Sequence, residues 1–303
     1  MTHRDGECAI ERNIWILWLQ GFELAPELVK ICANTWSAKN PGWHVHLLTE
    51  QNLADFLDND FHREIVALAL PPQKTANLVR LYLVSRYGGV WADADCYCAR
   101  ALDDWLPSSL EGGFFAFRFD ADAWLEANRD RPLARLLGSS ADRVLSNWFI
   151  AGRAGNPISS VFLRHHLELF QQGNFGERRR NKMFLRFALF VFRRNAYVSS
   201  QLANLRLLQL AGTFPYFVFH YHFARLLLQD STFHAAWRNV VQRDNRPCLA
   251  YSKNLHLKDD ERFREDFEGR GEAPLLKLHW KQRKEVTLPG SRYRALVDGS
   301  LSA

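Results

Sequence analysis

Residues 74–98 read KTANLVRLYLVSRYGGVWADADCYC and predict a helix, a stop, a buried strand and a pair of carboxylates in direct succession. Apolar residues recur at helical spacing through the first half of this stretch. Gly88 and Gly89 are predicted to end the helix, because glycine adopts a left-handed conformation without a Cβ clash. Val90–Ala92 is a short apolar run, which is typical of a strand buried on both faces. We therefore expect the fold to be built around this strand.

Two carboxylates, Asp93 and Asp95, follow the strand. On an extended chain residues two apart point the same way, so this pair is predicted to project together. Adjacent like charges are costly unless a cation neutralises them. Mn²⁺ or Mg²⁺ takes one or two carboxylates and completes its shell with phosphate and water. The pair therefore predicts a metal site that would hold a diphosphate leaving group. The alternative reading of an isolated Asp-x-Asp is a solvated turn.

The N-terminal residues predict a strand–helix–strand–helix pattern. Strands are expected over Asn13–Leu19 and Trp43–Leu48, with helices over Pro26–Ser37 and Glu50–Leu57, the second N-capped by Thr49. This alternation is typical of α/β folds with parallel strands. Ligands on such sheets bind at the carboxyl ends of the strands, where the two carboxylates also lie.

Residues 78–97, LVRLYLVSRYGGVWADADCY, resemble the nucleotide-sugar-binding core of glycosyltransferases with a DXD motif. The resemblance is to capsular polysaccharide synthesis proteins and to family 32, or Och1-like, enzymes, and large clostridial glucosylating toxins share a similar core. Residues 14–53 are similar to the opening of the capsular group. The resemblance implies a glycosyltransferase A-type α/β fold, in which a mixed sheet is flanked by helices and followed by a helical C-terminal insertion.

Three parts are predicted along the chain. A nucleotide-sugar-binding α/β core would span residues 1–155, and a mainly helical subdomain near the acceptor and the membrane would span 156–270. A C-terminal strand and tail, 271–303, would return to the active site.

Five further residues are predicted to contact the donor or its sugar. Trp18 would stack on a nucleotide base beside Gln20, although Trp18 could instead be a core tryptophan. The resemblance places an Asp and an Arg of the helix that precedes the buried strand at the donor. Here Arg80 is kept but Asn77 stands in place of the Asp, and an amide bonds without charge. Asn147 is predicted to hydrogen-bond the sugar, and the alternative is that it is only a turn residue.

Near the end, residues 274–281 predict an alternating strand with Lys277, His279 and Lys281 on one face. Such a face suits a diphosphate, and histidine can complete a metal site. By resemblance we assign His279 to the metal and Lys281 to the diphosphate. A solvated edge-strand face is the alternative.

Residues 177–197 combine basic and aromatic character. An apolar run rich in Phe is preceded by Arg178, Arg179 and Arg180 and is too short to span a bilayer. Basic flanks around such a helix suit the headgroup region of an anionic membrane. The alternative is a helix in the core of a subdomain. The resemblance favours the membrane, because capsule-type enzymes often use lipid-linked acceptors.

Composition limits the possible partners and compartment. The 303 residues carry a net charge of +6, which suits anionic partners such as a nucleotide diphosphate or an acidic membrane. A nucleic-acid partner is not expected, because no recognised motif supports one. Five cysteines without a framework spacing indicate a reducing compartment. The polar start predicts no signal peptide, so we expect a cytoplasmic protein, peripheral on the inner face of the membrane.

The predicted function is metal-dependent sugar transfer from a nucleotide diphosphate sugar to a hydroxyl of a glycan or lipid-linked glycan, in surface polysaccharide biosynthesis. Retention of anomeric configuration is implied by the resemblance alone. Two other classes stay open. One is a metal-dependent nucleotidyl or phosphoryl transferase that uses the same carboxylates, and the other is a non-catalytic glycan- or nucleotide-binding relative.

Overall fold

The computed structural model describes residues 10–119, 143–173, 180–193, 196–281 and 288–298. Within these residues the strands form two sheets. In chain order, β1–β7 are Asn13–Leu17, His44–Leu48, Gly89–Ala92, Cys96–Cys98, Phe114–Ala116, Phe149–Gly152 and Leu275–Lys277. The larger sheet has the order β2-β1-β3-β6-β5, and β4 pairs with β7 in the smaller sheet.

Helices flank the larger sheet and make up more than half of the described residues after it. In chain order, α1–α13 are Glu27–Lys39, Asn59–Ala67, Pro72–Tyr87, Leu106–Ser109, Pro157–Gln172, Lys182–Phe192, Ala196–Ser199, Leu205–Ala211, Val218–Gln229, Ser231–Arg238, Arg246–Leu249, Glu261–Phe267 and Arg292–Val297. Short 3₁₀ turns lie at Phe22–Leu24, Leu53–Phe56, Leu102–Asp104 and Ser200–Ala203. None of the helices in the ranges given above is long and apolar enough to cross a membrane.

The larger sheet is mixed and is covered on both faces. β1 runs parallel to β2 and β3, whereas β6 runs antiparallel to β3 and β5. Successive side chains of a strand point to opposite faces. Accordingly Ile14 and Ile16 of β1 join an apolar cluster with Trp36 of α1. Trp15, between them, joins a second cluster with Leu78 of α3. The predicted fold class, an α/β mixed sheet flanked by helices, is confirmed.

The predicted glycine stop lies where α3 ends and β3 begins. α3 ends at Tyr87, and Gly88 follows with a φ of +65°. At Gly89 the φ is +92°, and a Cβ would lie 2.3 Å from the Asn13 carbonyl oxygen of β1. Both glycines are thus required, one by its dihedral angle and the other also by the close approach of two backbones. They allow β3 to pair directly beside β1 in the sheet.

The helix predicted over Glu50–Leu57 is wrong. The Thr49 amide donates to Asn52 Oδ1 at 2.7 Å, and Asn52 Nδ2 donates to the Leu47 carbonyl oxygen at 3.0 Å. Asparagine side chains that bond nearby backbone compete with the helix in this way. The chain therefore makes only a 3₁₀ turn at Leu53–Phe56 before α2 begins at Asn59.

The predicted C-terminal strand over residues 274–281 is also too long. β7 covers only Leu275–Lys277 and pairs antiparallel with Cys96–Cys98. Its partner β4 has three residues and begins after a turn, so a longer ladder has no partner strand. The last contact is the Leu278 amide, which donates to the Asp95 carbonyl oxygen at 2.9 Å.

The helices after β6 pack on the same core as the sheet. Phe219 and Phe223 of α9 share an apolar cluster with Trp91 of β3 and with Phe162 of α5. Phe162 and Phe219 meet edge to face, with their ring centroids 4.8 Å apart. This packing fixes α9 against the sheet, beside the carboxyl end of β3. The division into parts at residues 155 and 270 stays a prediction.

Candidate active site

A cleft of about 1100 Å³ opens at the carboxyl ends of β1 and β3. Parallel strands of an α/β sheet place their ligand site at this edge. Every residue predicted to bind donor or metal lines the cleft, namely Trp18, Gln20, Asn77, Arg80, Asp93, Asp95, Asn147, His279 and Lys281. Residues far apart in sequence are thus brought to one surface.

The two carboxylates converge through a turn, which corrects the predicted extended geometry. After β3 the Cys96 amide donates to the Asp93 carbonyl oxygen at 2.9 Å, so the chain bends at Ala94. Both carboxylates nevertheless point at one atom, Lys277 Nζ. It lies 3.1 Å from Asp93 Oδ2 and makes a close ion pair with Asp95 Oδ1. The turn therefore aims both carboxylates at a shared point.

Asp93 is held on both of its oxygens. Its Oδ1 accepts from Trp91 Nε1 at 3.0 Å and lies 3.4 Å from Arg80 Nη2, while its Oδ2 faces Lys277. Burial raises the pKa of Asp93, but the charges of Lys277 and Arg80 outweigh burial, so the pKa stays below its usual value. Burial likewise opposes charge on Lys277, and the two carboxylates overcome it and raise the pKa of this ammonium. Asp93 and Lys277 therefore stay charged because each is paired with an opposite charge.

Arg80 connects α3 to Asn147, the residue predicted to contact the sugar. Its guanidinium is buried, donates to the Asn147 carbonyl oxygen and lies over the Trp91 ring at 5.0 Å. Asn147 Nδ2 in turn donates to Asn77 Oδ1 at 3.2 Å. Asn77, Arg80, Asn147 and Asp93 therefore form one bonded network along the wall of the cleft.

Trp18 lines the cleft and also packs against the apolar cluster that contains Trp36. It is partly buried, and its ring meets Trp280 edge to face at 5.3 Å. Gln20 is exposed two residues further on. A partly exposed indole beside a polar side chain can stack on and hydrogen-bond a flat ring. The position suits the predicted base-stacking role, which stays a prediction.

The three basic residues of the C-terminal segment do not share one strand face, because β7 ends at Lys277. His279 Nδ1 accepts from the Lys281 amide at 3.2 Å, and Lys281 Nζ lies over the Trp280 ring at 4.9 Å. In the part of the chain that the structure describes, no three metal-ligating side chains form a group. His279 does not join the two aspartates in this arrangement, and its role as a metal ligand stays a prediction.

Sequence reasoning missed several residues of the cleft. It placed Lys277 on a diphosphate-binding face but not between the carboxylates, and it gave no role to Trp280. His220 of α9 also lines the cleft; its pKa falls to about 3 because burial disfavours the charged ring, so it presents a neutral imidazole. The sequence signal available for Lys277 was only its alternation with apolar neighbours. Its partners lie 182 and 184 residues away.

The donor chemistry of the site fits a divalent cation. Two carboxylates aimed at a single ammonium define a point where a positive charge is stabilised. Hard cations such as Mn²⁺ and Mg²⁺ use one or two carboxylates together with phosphate oxygens. Asp93 and Asp95 would hold such an ion, with Lys277 moved away from them.

Comparisons with known proteins identify the family of the chain. Residues 3–176 match the model of a family described as capsular polysaccharide synthesis protein. This match covers more than half of the 303 residues, and the chain belongs to that family. The architecture is consistent with the glycosyltransferase A-type fold that the resemblance implies. The likeness to family 32 enzymes stays a prediction.

Individual relatives are more distant. The chain is 28% identical over 173 residues to O-glycosyltransferase braB of Annulohypoxylon truncatum, which takes in 54% of this chain but only 37% of that protein. Among solved structures, PaToxG Glycosyltransferase is 16% identical, with a TM-score of 0.36 over 76% of this chain and 74% of its own. The glycosyltransferase domain from the YGT toxin is 11% identical, with a TM-score of 0.36 over 77% and 80%.

Proposed function

We propose that the protein is a metal-dependent glycosyltransferase that moves a sugar from a nucleotide diphosphate sugar to a hydroxyl of a glycan or lipid-linked glycan. The observation that carries this proposal is that Asp93 and Asp95 both point at one ammonium, that of Lys277. The three groups lie inside a cleft at the carboxyl ends of β1 and β3. Membership of the capsular polysaccharide synthesis family supports a role in making a surface polysaccharide. The similarity to an O-glycosyltransferase supports sugar transfer.

Different residues of the cleft would hold different parts of the donor. Trp18 and Gln20 would hold the nucleoside at the rim, and Lys281 would lie along the diphosphate. Arg80 is fixed by Asp93 and Asn147, so its charge is held in place before the donor arrives. Asn147 would orient the sugar through its amide, which Asn77 already holds. A bound Mn²⁺ or Mg²⁺ would stabilise the charge of the leaving diphosphate.

The size of the cleft supports a large donor. Small-molecule sites usually measure about 300–1000 Å³. The cleft reaches about 1100 Å³, which leaves space for an acceptor hydroxyl beside a nucleotide sugar. Retention of configuration, implied by resemblance, and a cytoplasmic location are further parts of the proposal.

Product analysis with a panel of nucleotide sugars and Mn²⁺ tests the reaction. Release of nucleoside diphosphate and a glycosylated acceptor is expected. Release of pyrophosphate would instead identify a nucleotidyl transferase, and binding without any turnover would identify a non-catalytic relative. Asp95→Asn should abolish turnover, whereas the exposed Asp104→Asn serves as a matched control that keeps it.

On the acceptor side, we further propose that α6 attaches the protein to an anionic membrane. Ala188 is its one buried residue among positions 182–192, which does not fit the alternative of a core helix. Met183, Phe187 and Phe190 are 81%, 64% and 78% exposed. At spacings of four and three residues they share one helix face.

The charges and position of α6 support the same partner. Arg180, Lys182 and Arg186 are exposed on or just before the helix, while the predicted Arg178 and Arg179 lie outside the described residues. Basic side chains around an apolar helix face suit an anionic headgroup layer. Phe217 lines the cleft and also packs against the apolar cluster that contains Ala188 of α6. A membrane under α6 would therefore lie near the cleft, as a lipid-linked acceptor requires.

A further inference from the structure

We infer that Lys277 is a built-in counter-ion, which must leave Asp93 and Asp95 before a divalent cation binds them, so that metal and donor diphosphate bind together. This inference rests on the proposed function, because it concerns how the donor site fills. Lys277 is the one side chain that contacts both carboxylates among the residues described.

The backbone places Lys277 at the carboxylates. In the β4–β7 ladder Lys277 pairs with Cys96, the residue directly after Asp95. The Leu278 amide then donates to the Asp95 carbonyl oxygen at 2.9 Å. These contacts fix the Cα of Lys277 beside the turn. Its side chain has a flexible four-carbon stem, so the ammonium can move while the strand stays paired.

The charges of the site balance without a metal. The carboxylates of Asp93 and Asp95 face the cations of Lys277 and Arg80, and all four groups lie at least partly buried. A divalent cation added to this set would leave two uncompensated positive charges in a partly buried place, which is costly. The diphosphate of a nucleotide sugar carries the two negative charges that restore balance. The site therefore disfavours a metal alone and favours a metal with diphosphate.

Lys277 is also the partner that can move. Arg80 is bonded to the carbonyl oxygens of Ala76 and Asn147 and is stacked on Trp91, so its position is fixed by several groups. Lys277 Nζ donates to the two carboxylates. When a diphosphate enters, it offers this ammonium charged oxygens in place of those carboxylates. The same movement frees Asp95 and one oxygen of Asp93.

The test measures Mn²⁺ binding directly, from the free-ion signal in electron paramagnetic resonance, with no donor present. Lys277→Met should bind Mn²⁺ at least about tenfold more tightly than wild type, because a neighbouring positive charge is removed. Lys277→Arg should stay near wild type, since it keeps the charge. Lys30→Met, which removes an exposed lysine of α1, is the control for the change in net charge.

A second arm uses wild type alone, so that the test survives if Lys277→Met fails to fold. UDP and GDP, with protein-free controls for their own Mn²⁺ complexes, serve as probes. At least one should tighten Mn²⁺ binding about tenfold or more. The inference is overturned if wild type and Lys277→Met bind Mn²⁺ equally, or if neither nucleotide changes wild-type affinity. If no variant binds Mn²⁺ and turnover persists in EDTA, the metal dependence of the proposed function fails as well.

Discussion

The exposed face of α6 gives a prediction whose size follows from the structure. The perturbation is the triple substitution Met183→Ser, Phe187→Ser and Phe190→Ser. These side chains cover little of the core, so each change should alter the free energy of unfolding by no more than about 0.5 kcal/mol. The substitution therefore removes the proposed membrane contact and leaves the fold in place.

The expected loss of membrane affinity comes from the exposed fractions. At 81%, 64% and 78%, the three residues expose a little over two whole side chains. Full burial of such a side chain contributes about 1.5–3 kcal/mol, so complete insertion would contribute about 3–7 kcal/mol. Insertion to the acyl boundary buries only part of this surface. A loss of about 3 kcal/mol, or roughly a hundredfold in partitioning, is therefore expected.

Co-sedimentation with liposomes of stated anionic lipid content measures the effect. A matched control, Val66→Ser with Leu257→Ser and Leu288→Ser, removes exposed apolar residues from other surfaces and should bind normally. Added salt should weaken wild-type binding, because the basic residues act through screened charge. If the wild-type protein does not bind these liposomes at low salt, or if the two triple variants bind them equally, α6 is not a membrane anchor.

Three further predictions concern the site and the core. Asp95→Asn should abolish Mn²⁺-dependent donor binding while circular dichroism stays unchanged; near-normal turnover at low Mn²⁺ would contradict the assignment. Trp18→Ala should weaken nucleotide binding by about 1–3 kcal/mol and cost less stability than the roughly 3–5 kcal/mol of a core tryptophan; a large stability loss with unchanged affinity would favour a core role. Burial lowers the pKa of His222 to about 3, and its Nδ1 lies 3.0 Å from His166 Nδ1. The unfolded chain binds a proton at His222 at higher pH than the folded protein does. The contribution of His222 to stability is therefore full above about pH 6.5 and is lost as the pH falls towards 3, by about 1.4 kcal/mol at pH 5.5. Urea titrations at several pH values should show this loss, and His222→Gln should reduce it. If His222→Gln leaves the slope of unfolding free energy against pH unchanged, the explanation is refuted.

Local signals in the sequence were sufficient for the centre of the sheet. Gly88 and Gly89 ended α3, and the apolar run Val90–Ala92 became β3, because these features depend on neighbouring residues alone. Local signals failed where a side chain competed with the backbone. Asn52 closed a turn inside the predicted second helix, and propensity alone does not reveal such a bond.

Many residues of the candidate site could be predicted from the sequence, but the ion pairs between them could not. Residues at the ends of parallel strands meet at one edge of a sheet, so Trp18 and Asp93 could be placed together from their positions. The position of Lys277 depends on the pairing of β4 with β7, which joins segments about 180 residues apart. A three-residue strand carries too little pattern to specify such a partner, and the charge partner of both carboxylates therefore emerged only from the structure.

Charge balance in the site also accounts for Asn77, the residue that departs from the expected Asp. Asn77 Oδ1 accepts from Asn147 Nδ2 at 3.2 Å, which a carboxylate oxygen could do as well. An Asp at this buried position would add a third negative charge near two that Arg80 and Lys277 already balance. An unpaired buried charge is strongly destabilising, whereas a hydrogen-bonded amide is not. The amide thus keeps the hydrogen bond that positions Asn147 and leaves Arg80 paired with Asp93.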